Sequence, residues 1–423
     1  MLRMDEPGGS RKGCLRRVCG IIGGILKTGD PMRLPDALET LNRFLAPLSA
    51  QDFLQSLADG PWRQLPKAAT TERLSILGID PAQTLTDAYP LATQLTFHSA
   101  NPTAAPPALT AFTDAAAFRS HIRTFHERRY SVRFPSLRPY SPRLDEACRA
   151  LEALLHKPVT ASAFWSHGGM KAPVHSDDHD LLVIQLVGRK RWFVAQSPSN
   201  LDNAWERIPS SPPSLGEHAK FEVGPGDAVY LPRGTVHAVD GEEESIHVSI
   251  GFTPLTVREA LIAAIDHVSD LDRGWRVTAT PILAQQLTTG RLDPLPDLLR
   301  RAAQALQEAV AAPGFVDAAL QRRSARAVGS LAGETSEPSR RLTLDSELRQ
   351  RSRSFCHLSA NTEKIDVAYP GGHLYIHRGA ESSVLFMVNA ARFRIRDIPG
   401  DIDDEVRLSL AQRFCDVGLL ELT

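Results

Sequence analysis

Two histidines and one aspartate occur in patterns that could bind a metal ion. His175 and Asp177 stand one residue apart in the run H-S-D, and on a β-strand two such side chains project from the same face. Further along, the run G-D-A-V-Y-L-P-R-G-T-V-H predicts a strand, a Pro/Gly turn and a returning strand that begins at His237. Antiparallel pairing through that turn would bring His237 to the mouth of a barrel. An isolated H-x-D is common by chance, and a hydrogen-bonded core histidine is the ordinary alternative.

Two imidazoles and one carboxylate on one face form a facial ligand set. On an octahedral ion they leave about three positions open, which suits the non-haem Fe(II) oxygenases. Zinc prefers a tetrahedral site with three strong protein ligands and a water molecule, so zinc is the lesser alternative. The three residues therefore predict an iron site at which further ligands can bind.

The spacing around these residues resembles a known family. The pattern G-x5-H-x-D ending at Asp177 and the pattern G-x5-P-x-G-x2-H ending at His237 are similar to the two cupin motifs in their dioxygenase form. The run H-S-D-D-H-D-L-L-V-I-Q-L-V-G-R-K-R-W from His175 to Trp192 resembles the JmjC-type ribosomal oxygenases. That family hydroxylates arginine or histidine side chains of ribosomal proteins and uses Fe(II), 2-oxoglutarate and O2. The resemblance implies that His175, Asp177 and His237 are the iron ligands and the catalytic centre.

The same resemblance implies a binding site for 2-oxoglutarate. Lys190 matches the basic residue that pairs with the distal carboxylate of the co-substrate, and a free carboxylate does need a buried cation. The ordinary alternative for Lys190 is a solvated turn residue within the basic run R-K-R. Ser162 and Ser249 lie on predicted strands where small polar residues of the family line the co-substrate pocket. The family's asparagine upstream of the first histidine is replaced here by Ala161 or Ser162.

Other polar residues near the motifs have less defined roles. The segment from Phe164 to Val174 departs from the family, adds His167 and Lys171 near the site, and is expected to shape the substrate pocket. Asp178 has the wrong strand parity for a ligand, and we expect both Asp178 and His179 to be surface or supporting residues. His247 matches a position that is polar in relatives, where a supporting role and a structural role are equally compatible with the sequence.

The elements that would position these residues follow from hydrophobic periodicity and turn residues. Short strands with tight turns between Thr160 and Phe252 predict a small β-barrel or sandwich. Predicted helices flank it at 34–58, 115–127, 142–155, 257–271, 294–310, 315–328 and 404–417, and the first of them is broken at Pro47. The sequence predicts a loop at 96–113, a linker at 329–339 and a hairpin at 365–377.

The resemblance extends this pattern to a fold of the α+β class. It implies a double-stranded β-helix of the cupin/JmjC jelly-roll type, a helical dimerisation region, and a C-terminal winged-helix module that does not read DNA sequence. The expected domains are a flexible tail at 1–33, a JmjC/cupin catalytic domain with N-terminal helices at 34–255, the dimerisation region at 256–330 and the winged-helix-like domain at 331–423.

Composition is ordinary for a soluble globular protein, and it leaves a local basic patch open. Of 423 residues, 42% are hydrophobic and 23% charged, and the formal net charge is −1, so no global field steers the chain toward nucleic acid or anionic lipid. The five cysteines lack C-x-x-C spacing, which favours a reducing cytoplasm. The apolar segment Val18–Leu26 is too short to span a bilayer, which takes about 20 residues. A signal peptide is the minor alternative there, and a start at Met32 is favoured over it.

The predicted activity is Fe(II)- and 2-oxoglutarate-dependent hydroxylation of an amino-acid side chain. The substrate would be a ribosomal protein or a ribosomally made peptide, because relatives hold an extended polypeptide across the barrel mouth. Two alternatives remain: an N-methyl demethylase, which would release formaldehyde by the same chemistry, and a catalytically silent cupin that serves as a binding module. The expected partners are a protein or peptide substrate and a second copy of the chain, with no membrane.

Overall fold

The apolar runs between Thr160 and Phe252 form short strands, as the sequence predicts. In this computed structural model the described residues are 34–57, 61–65, 67, 70–196, 214–278, 280, 288–290, 295–331, 333, 342–351, 356–360, 362–390 and 392–423. They belong to two compact units, one within 33–254 and one within 255–423. The expected tail at 1–33 lies outside the described residues, as do Cys14 and Cys19.

The strands of the first unit build two sheets. They are β1 Arg63–Leu65, β2 Thr96–His98, β3 Ser131–Phe134, β4 Thr160–Ser166, β5 Met170–His175, β6 Asp180–Val187, β7 Lys190–Ala195, β8 His218–Val223, β9 Ala228–Leu231, β10 His237–Gly241 and β11 Ser245–Phe252. One sheet has the order β1-β9-β6-β11-β4-β3-β2 and the other β5-β10-β7-β8. From β4 to β11 the chain passes repeatedly between the sheets, with β7 and β8 consecutive in one sheet. This winding is that of a jelly roll, so the predicted β-barrel or sandwich is confirmed.

Two local expectations about the ligand-bearing strands are wrong. β5 ends at His175, so Asp177 lies in the following loop rather than on the strand. β9 and β10 do not pair with each other; β9 pairs with β1 and β6, and β10 pairs with β5 and β7. Pro232 has no N–H to extend a ladder, and the segment from Pro232 to Val236 crosses from one sheet to the other. The expected loop at 96–113 is also interrupted by the short strand β2.

Helices cover the seven-stranded sheet of the first unit. The predicted helix pair broken at Pro47 and the two later helices are confirmed; the helices are Leu34–Leu45, Ala50–Ser56, Thr70–Leu74, Pro81–Asp87, Ala115–Glu127 and Pro142–Leu155. The last begins where the Ser141 side chain accepts a hydrogen bond from the backbone N–H of Leu144 and buries Cys148 and Leu151. Burial of an aliphatic side chain such as that of Leu151 stabilises the fold by about 1.5–3 kcal/mol.

The second unit is helical at first and mixed afterwards. Its helices are Val257–Leu271, Leu295–Val310, Phe315–Gly329, Glu381–Asn389 and Asp404–Asp416, and its strands are β12 Glu347–Gln350, β13 His357–Ala360, β14 Lys364–Tyr369, β15 Gly372–His377, β16 Arg392–Arg394 and β17 Leu420–Leu422. The strands form two sheets, β16-β12-β17 and β13-β14-β15. The predicted helices and the β14–β15 hairpin are confirmed, whereas most of the expected linker at 329–339 lies outside the described residues. Among the described residues, no helix is long and apolar enough to cross a membrane.

Candidate active site

His175, Asp177 and His237 converge at one end of the jelly roll. His175 and His237 are register partners on the neighbouring strands β5 and β10, and their ring centroids lie 4.3 Å apart. The Nε2 atoms of His175 and His237 lie 4.0 and 3.7 Å from Oδ2 of Asp177. One nitrogen or oxygen atom from each residue falls within 4.8 Å of the others, a spacing at which all three can reach a single ion.

Backbone hydrogen bonds fix the orientation of both imidazoles. Nδ1 of His175 lies 2.8 Å from the carbonyl oxygen of Pro173, and Nδ1 of His237 lies 3.0 Å from that of Thr235. A carbonyl only accepts, so Nδ1 carries the proton in each ring and the lone pair of Nε2 is free for a metal. Burial and the nearby His175 lower the pKa of His237 to about 4, which keeps this imidazole neutral and able to bind a cation at neutral pH.

The loop that holds Asp177 is tied to the crossing between β9 and β10. The backbone N–H of Gly234 donates to the carbonyl oxygen of Asp177 at 2.8 Å. Asp180, at the start of β6, accepts hydrogen bonds from the hydroxyl of Tyr230 at 2.6 Å and from the backbone N–H of Arg233 at 3.2 Å. These bonds explain how Asp177 reaches the two histidines although it does not lie on a strand.

The three residues open onto a cavity of about 410 Å³ between the two sheets. His237 is nearly buried, with 4% of its side chain exposed, whereas the side chain of His175 is 42% exposed. The entrance therefore lies on the His175 side. Ser162, Lys190 and Ser249 all line the cavity, so the structure brings every site residue predicted from the sequence together.

Lys190 has a buried environment in the cavity wall. Its Nζ atom donates to Oγ of Ser166 at 2.9 Å and lies 2.9 Å from Nδ1 of His247. Because an ammonium group only donates, His247 accepts through Nδ1 and is neutral; burial and the charge of Lys190 lower its pKa well below the usual value. Burial also lowers the pKa of Lys190 to about 7. No carboxylate contacts Lys190 among the described residues. The ammonium group of Lys190 can therefore form an ion pair with an anionic ligand.

The two predicted serines face each other across neighbouring strands. Ser162 on β4 is the register partner of Ser249 on β11. Oγ of Ser162 accepts a hydrogen bond of 2.9 Å from the guanidinium of Arg133. Ala161 is buried and is absent from the cavity wall, so Ser162 is the one of these two neighbours that faces the cavity.

Several other expectations are settled by position. The segment from Phe164 to Val174 forms the end of β4, a turn and β5; Phe164 lines the cavity, whereas His167 and Lys171 do not. The expectation that His167 and Lys171 lie near the site stays a prediction. Asp178 has an 89% exposed side chain and pairs with His179, which reaches the cavity wall. His247 is buried beside Lys190 and has a supporting position.

Three cavity residues were not predicted from the sequence. His98 on β2, Arg133 on β3 and Trp192 on β7 line the cavity, and Trp192 stacks on His237 with centroids 5.6 Å apart. β2 and β3 extend the seven-stranded sheet beyond the motif region, and residues 96–113 had been expected to form a loop. Alternation along S-V-R-F could have marked Ser131 and Arg133 as one face of a strand, since Val132 and Phe134 are fully buried on the other.

Comparison with known proteins agrees with this geometry. Residues 138–260 match the family model of the JmjC domain. Over 134 residues it is 35% identical to the bifunctional lysine-specific demethylase and histidyl-hydroxylase NO66 of Drosophila simulans, and over 139 residues it is 28% identical to ribosomal oxygenase 2 of Rattus norvegicus. The predicted resemblance to JmjC ribosomal oxygenases is confirmed.

The extent of these similarities differs between sequence and structure. The two alignments cover 30% and 32% of this chain and 16% and 30% of the relatives, so the chain matches only a minor part of each relative. The X-ray structure of ycfD from E. coli superimposes with a TM-score of 0.51 over 89% of this chain and 98% of ycfD, at 16% identity. That similarity establishes a shared cupin/JmjC fold of mixed helices and sheets.

Proposed function

We propose that this protein is an Fe(II)- and 2-oxoglutarate-dependent oxygenase that hydroxylates an amino-acid side chain of a protein or peptide. The observation that carries the proposal is the pairing of two features in one cavity: the triad of His175, Asp177 and His237, and the buried cation Lys190. A metal triad alone is compatible with many cupins. A buried cation in the same cavity adds a place for the free end of an acidic co-substrate.

The donor set suits iron. Two imidazoles and one carboxylate, with the entrance beside His175, form a facial set that leaves positions for other ligands. Zinc remains the lesser alternative. It prefers a tetrahedral site, in which these three ligands would leave only one position, for a water molecule. When bound, iron together with 2-oxoglutarate and O2 supplies the oxidising chemistry that an unactivated C–H bond requires.

The chain's own residues orient the two imidazoles, bind 2-oxoglutarate and shield it from water. The backbone carbonyls of Pro173 and Thr235 hold the two imidazoles in the tautomer that binds metal. Lys190 binds the distal carboxylate of 2-oxoglutarate, with Ser166 and His247 fixing its ammonium group. The inward residues of both sheets, Ser162 and Ser249 among them, surround the co-substrate and exclude water from it.

A polypeptide is the substrate class that the relatives support. The names of these relatives, ribosomal oxygenase and histidyl-hydroxylase, describe oxidation of protein side chains. A ribosomal protein and a ribosomally made peptide are both included in the proposal. The complete triad and the buried Lys190 argue against a silent binding module, which has no need of either.

The test is turnover of full-length protein with Fe(II), 2-oxoglutarate and a cell-extract peptide pool. We expect release of succinate and peptides heavier by one oxygen atom, whereas a demethylase would release formaldehyde instead. His175→Ala should abolish both products, and His218→Ala, an exposed histidine outside the cavity, should leave them unchanged. Succinate formation that survives in His175→Ala would refute the site, and none from the wild type would refute the function.

The proposal includes an architecture for the rest of the chain. We assign 34–255 to catalysis, 256–330 to homodimerisation and 331–423 to a winged-helix-like domain. The helix Val257–Leu271 supports dimerisation, because Val257, Leu261 and Ile265 follow an i, i+4 spacing and are 89%, 50% and 37% exposed. Light scattering tests this: Leu261→Glu should shift a dimer to a monomer, and Leu109→Glu should not.

Two further parts of the proposal concern nucleic-acid binding and subcellular location. In the C-terminal module, Asp403 accepts a hydrogen bond from the backbone N–H of Val406, so this carboxylate caps a helix, where a phosphate contact would need a cation. That supports a module without direct nucleic-acid reading. Within the part of the chain that the structure describes, Cys148 and Cys415 form no disulfide, which supports a cytoplasmic location.

A further inference from the structure

Two cations face the cavity from different strands. Arg133 on β3, Phe164 on β4 and His247 on β11 are register partners and form one row across the seven-stranded sheet. Neighbouring strands lie about 4.8 Å apart, so the backbone of Arg133 stands about 10 Å from that of His247. Since His247 contacts Lys190 and Phe164 stacks on His247 at 4.9 Å, an aromatic ring separates the two cationic positions.

The two cations differ in how many of their N–H donors find a hydrogen-bond acceptor in the cavity wall. Lys190 is fully buried and is held by Ser166 and His247. Arg133 is half-buried, and its guanidinium donates to Oγ of Ser162. Within the described residues no carboxylate lies within 4.0 Å of the Arg133 guanidinium, although that group carries five N–H donors in a planar fork.

The charges of the cavity wall favour an anion beside Arg133. Asp177 is the only carboxylate among the described residues that line the cavity, and the metal triad includes it. A cationic side chain in this cavity would therefore meet Arg133 and a metal ion with no free acid to pair with. A carboxylate would meet a half-desolvated guanidinium that matches it in a bidentate geometry.

We infer that Arg133 is a specificity-determining residue that binds a carboxylate of the peptide substrate close to the oxidised side chain. The carboxylate belongs either to an Asp or Glu side chain or to a free peptide C-terminus. This inference rests on the proposed oxygenase function and narrows its substrate class. It also predicts discrimination against peptides that place arginine at this position, because two cations would then face each other at low dielectric.

Arg133 has one competing use inside the same cavity. The guanidinium could instead bind 2-oxoglutarate, which carries two carboxylates. Kinetics distinguish the two roles of Arg133. Substitution of a residue that binds peptide changes the KM for peptide, whereas substitution of a residue that binds co-substrate changes the KM for 2-oxoglutarate. The position of Phe164 between Arg133 and the Lys190–His247 pair favours the peptide.

The experiment uses three synthetic peptide libraries with the full-length protein. The first contains Asp or Glu and has an amidated C-terminus, the second has a free C-terminus and no acidic side chain, and the third has neither carboxylate. Mass spectrometry measures the gain of one oxygen atom. We expect the wild type to oxidise one carboxylate library about tenfold or more faster than the third, as a charge-assisted bidentate pair implies, and the preferred library identifies the source of the carboxylate.

Variants assign the preference to Arg133. Arg133→Gln should abolish the preference and raise the KM for the preferred peptides about tenfold more than the KM for 2-oxoglutarate. Arg133→Lys should retain part of the preference, and Arg123→Gln, which alters an exposed arginine on the helix Ala115–Glu127, should behave like the wild type. Equilibrium dialysis of the libraries against anaerobic protein loaded with Mn(II) and 2-oxoglutarate should reproduce the ranking without turnover.

The outcomes separate this inference from the proposed function. Equal oxidation of all three libraries, an unchanged preference in Arg133→Gln, or a larger effect on the KM for 2-oxoglutarate would each overturn the role of Arg133. Succinate release by the wild type with no oxidised peptide in any library would overturn it as well. If the wild type forms no succinate under any condition, the oxygenase proposal itself fails and this inference fails with it.

Discussion

The Nζ atom of Lys190 lies 2.9 Å from Nδ1 of His247, and both groups are buried. The contact is stable only if Nδ1 of His247 carries no proton, because an imidazolium beside the ammonium group would add a second buried charge. Burial lowers the pKa of Lys190 to about 7 and keeps His247 neutral. The charge of Lys190 is therefore marginal at neutral pH until a carboxylate arrives to stabilise it.

The first prediction concerns the pH dependence of co-substrate binding. Above pH 7, Lys190 loses its proton in the free protein, so the KM for 2-oxoglutarate should rise by up to about tenfold per pH unit. Steady-state kinetics between pH 6.5 and 9 in roughly half-unit steps would show this rise. In Lys190→Arg the guanidinium stays charged throughout, so its KM should vary much less over the same range. A flat wild-type profile would contradict the prediction.

The second prediction concerns stability. The pKa of Lys190 is lowered in the folded state, so between about pH 7 and 10.4 the unfolded chain binds more protons, and stability should rise with pH in that window. Lys190→Met removes the buried cation. Relative to this variant, the wild type without co-substrate should gain up to about 1.4 kcal/mol of unfolding free energy per pH unit across the window.

Thermal unfolding at pH 6.5 and pH 9 measures this difference. At the lower pH the ligand-free Lys190→Met protein should unfold at a higher temperature than the wild type, although it cannot bind the distal carboxylate. Lys220→Met, which alters an exposed lysine on β8, is the control and should show no such pH-dependent difference. A variant that is less stable than the wild type at both pH values would show that packing, not charge burial, dominates at Lys190.

The sequence predicted which residues meet in the cavity more accurately than it predicted the backbone that carries them. His175, Asp177 and His237 were identified from their spacing, Lys190 was identified from the resemblance to the ribosomal oxygenases, and all four line the cavity. The paths of the chain were wrong in two places, at Asp177 and at the crossing between β9 and β10. Local alternation predicts a strand, but only tertiary pairing decides which sheet the strand joins.

The part of the site that the sequence did not reveal comes from distant strands. Arg133 and His98 enter the cavity because β3 and β2 add to the edge of the seven-stranded sheet beside β4. No spacing rule relates these residues to the H-S-D motif, since the contact depends on long-range pairing. His247 was ambiguous for a related reason: its neighbour Lys190 is distant in sequence, and the contact that defines its role exists only in the folded sheet.

The third prediction concerns the turn before Lys190. Gly188 has φ +63°, and a Cβ atom there would lie 2.0 Å from the backbone oxygen of Glu244. Gly216 has φ +53° and no atom within 4 Å of the same position. Gly216→Ala should therefore cost only the left-handed backbone penalty of about 1–2 kcal/mol, whereas Gly188→Ala should cost about 1–3 kcal/mol more because backbone must shift.

Urea unfolding of the two variants compares these costs directly. Gly188→Ala should also raise the KM for 2-oxoglutarate, because displacement of the turn moves Lys190 away from Ser166 and His247. Equal destabilisation by the two substitutions would show that the backbone conformation, rather than the close approach of Glu244, accounts for the glycine at 188.

The fourth prediction separates two adjacent aspartates. Asp177→Asn removes a carboxylate from the triad, while the hydrogen bond from Gly234 to the backbone carbonyl of residue 177 can remain, so the loop should keep its position. Mn(II) affinity, measured by electron paramagnetic resonance, should fall by more than the about 10- to 100-fold that the loss of an outer-shell partner costs. Asp178→Asn changes a side chain that is 89% exposed and should leave Mn(II) affinity within about twofold of the wild type. If the two substitutions weaken binding equally, the ion is held by the general negative charge of the loop and not by the facial triad.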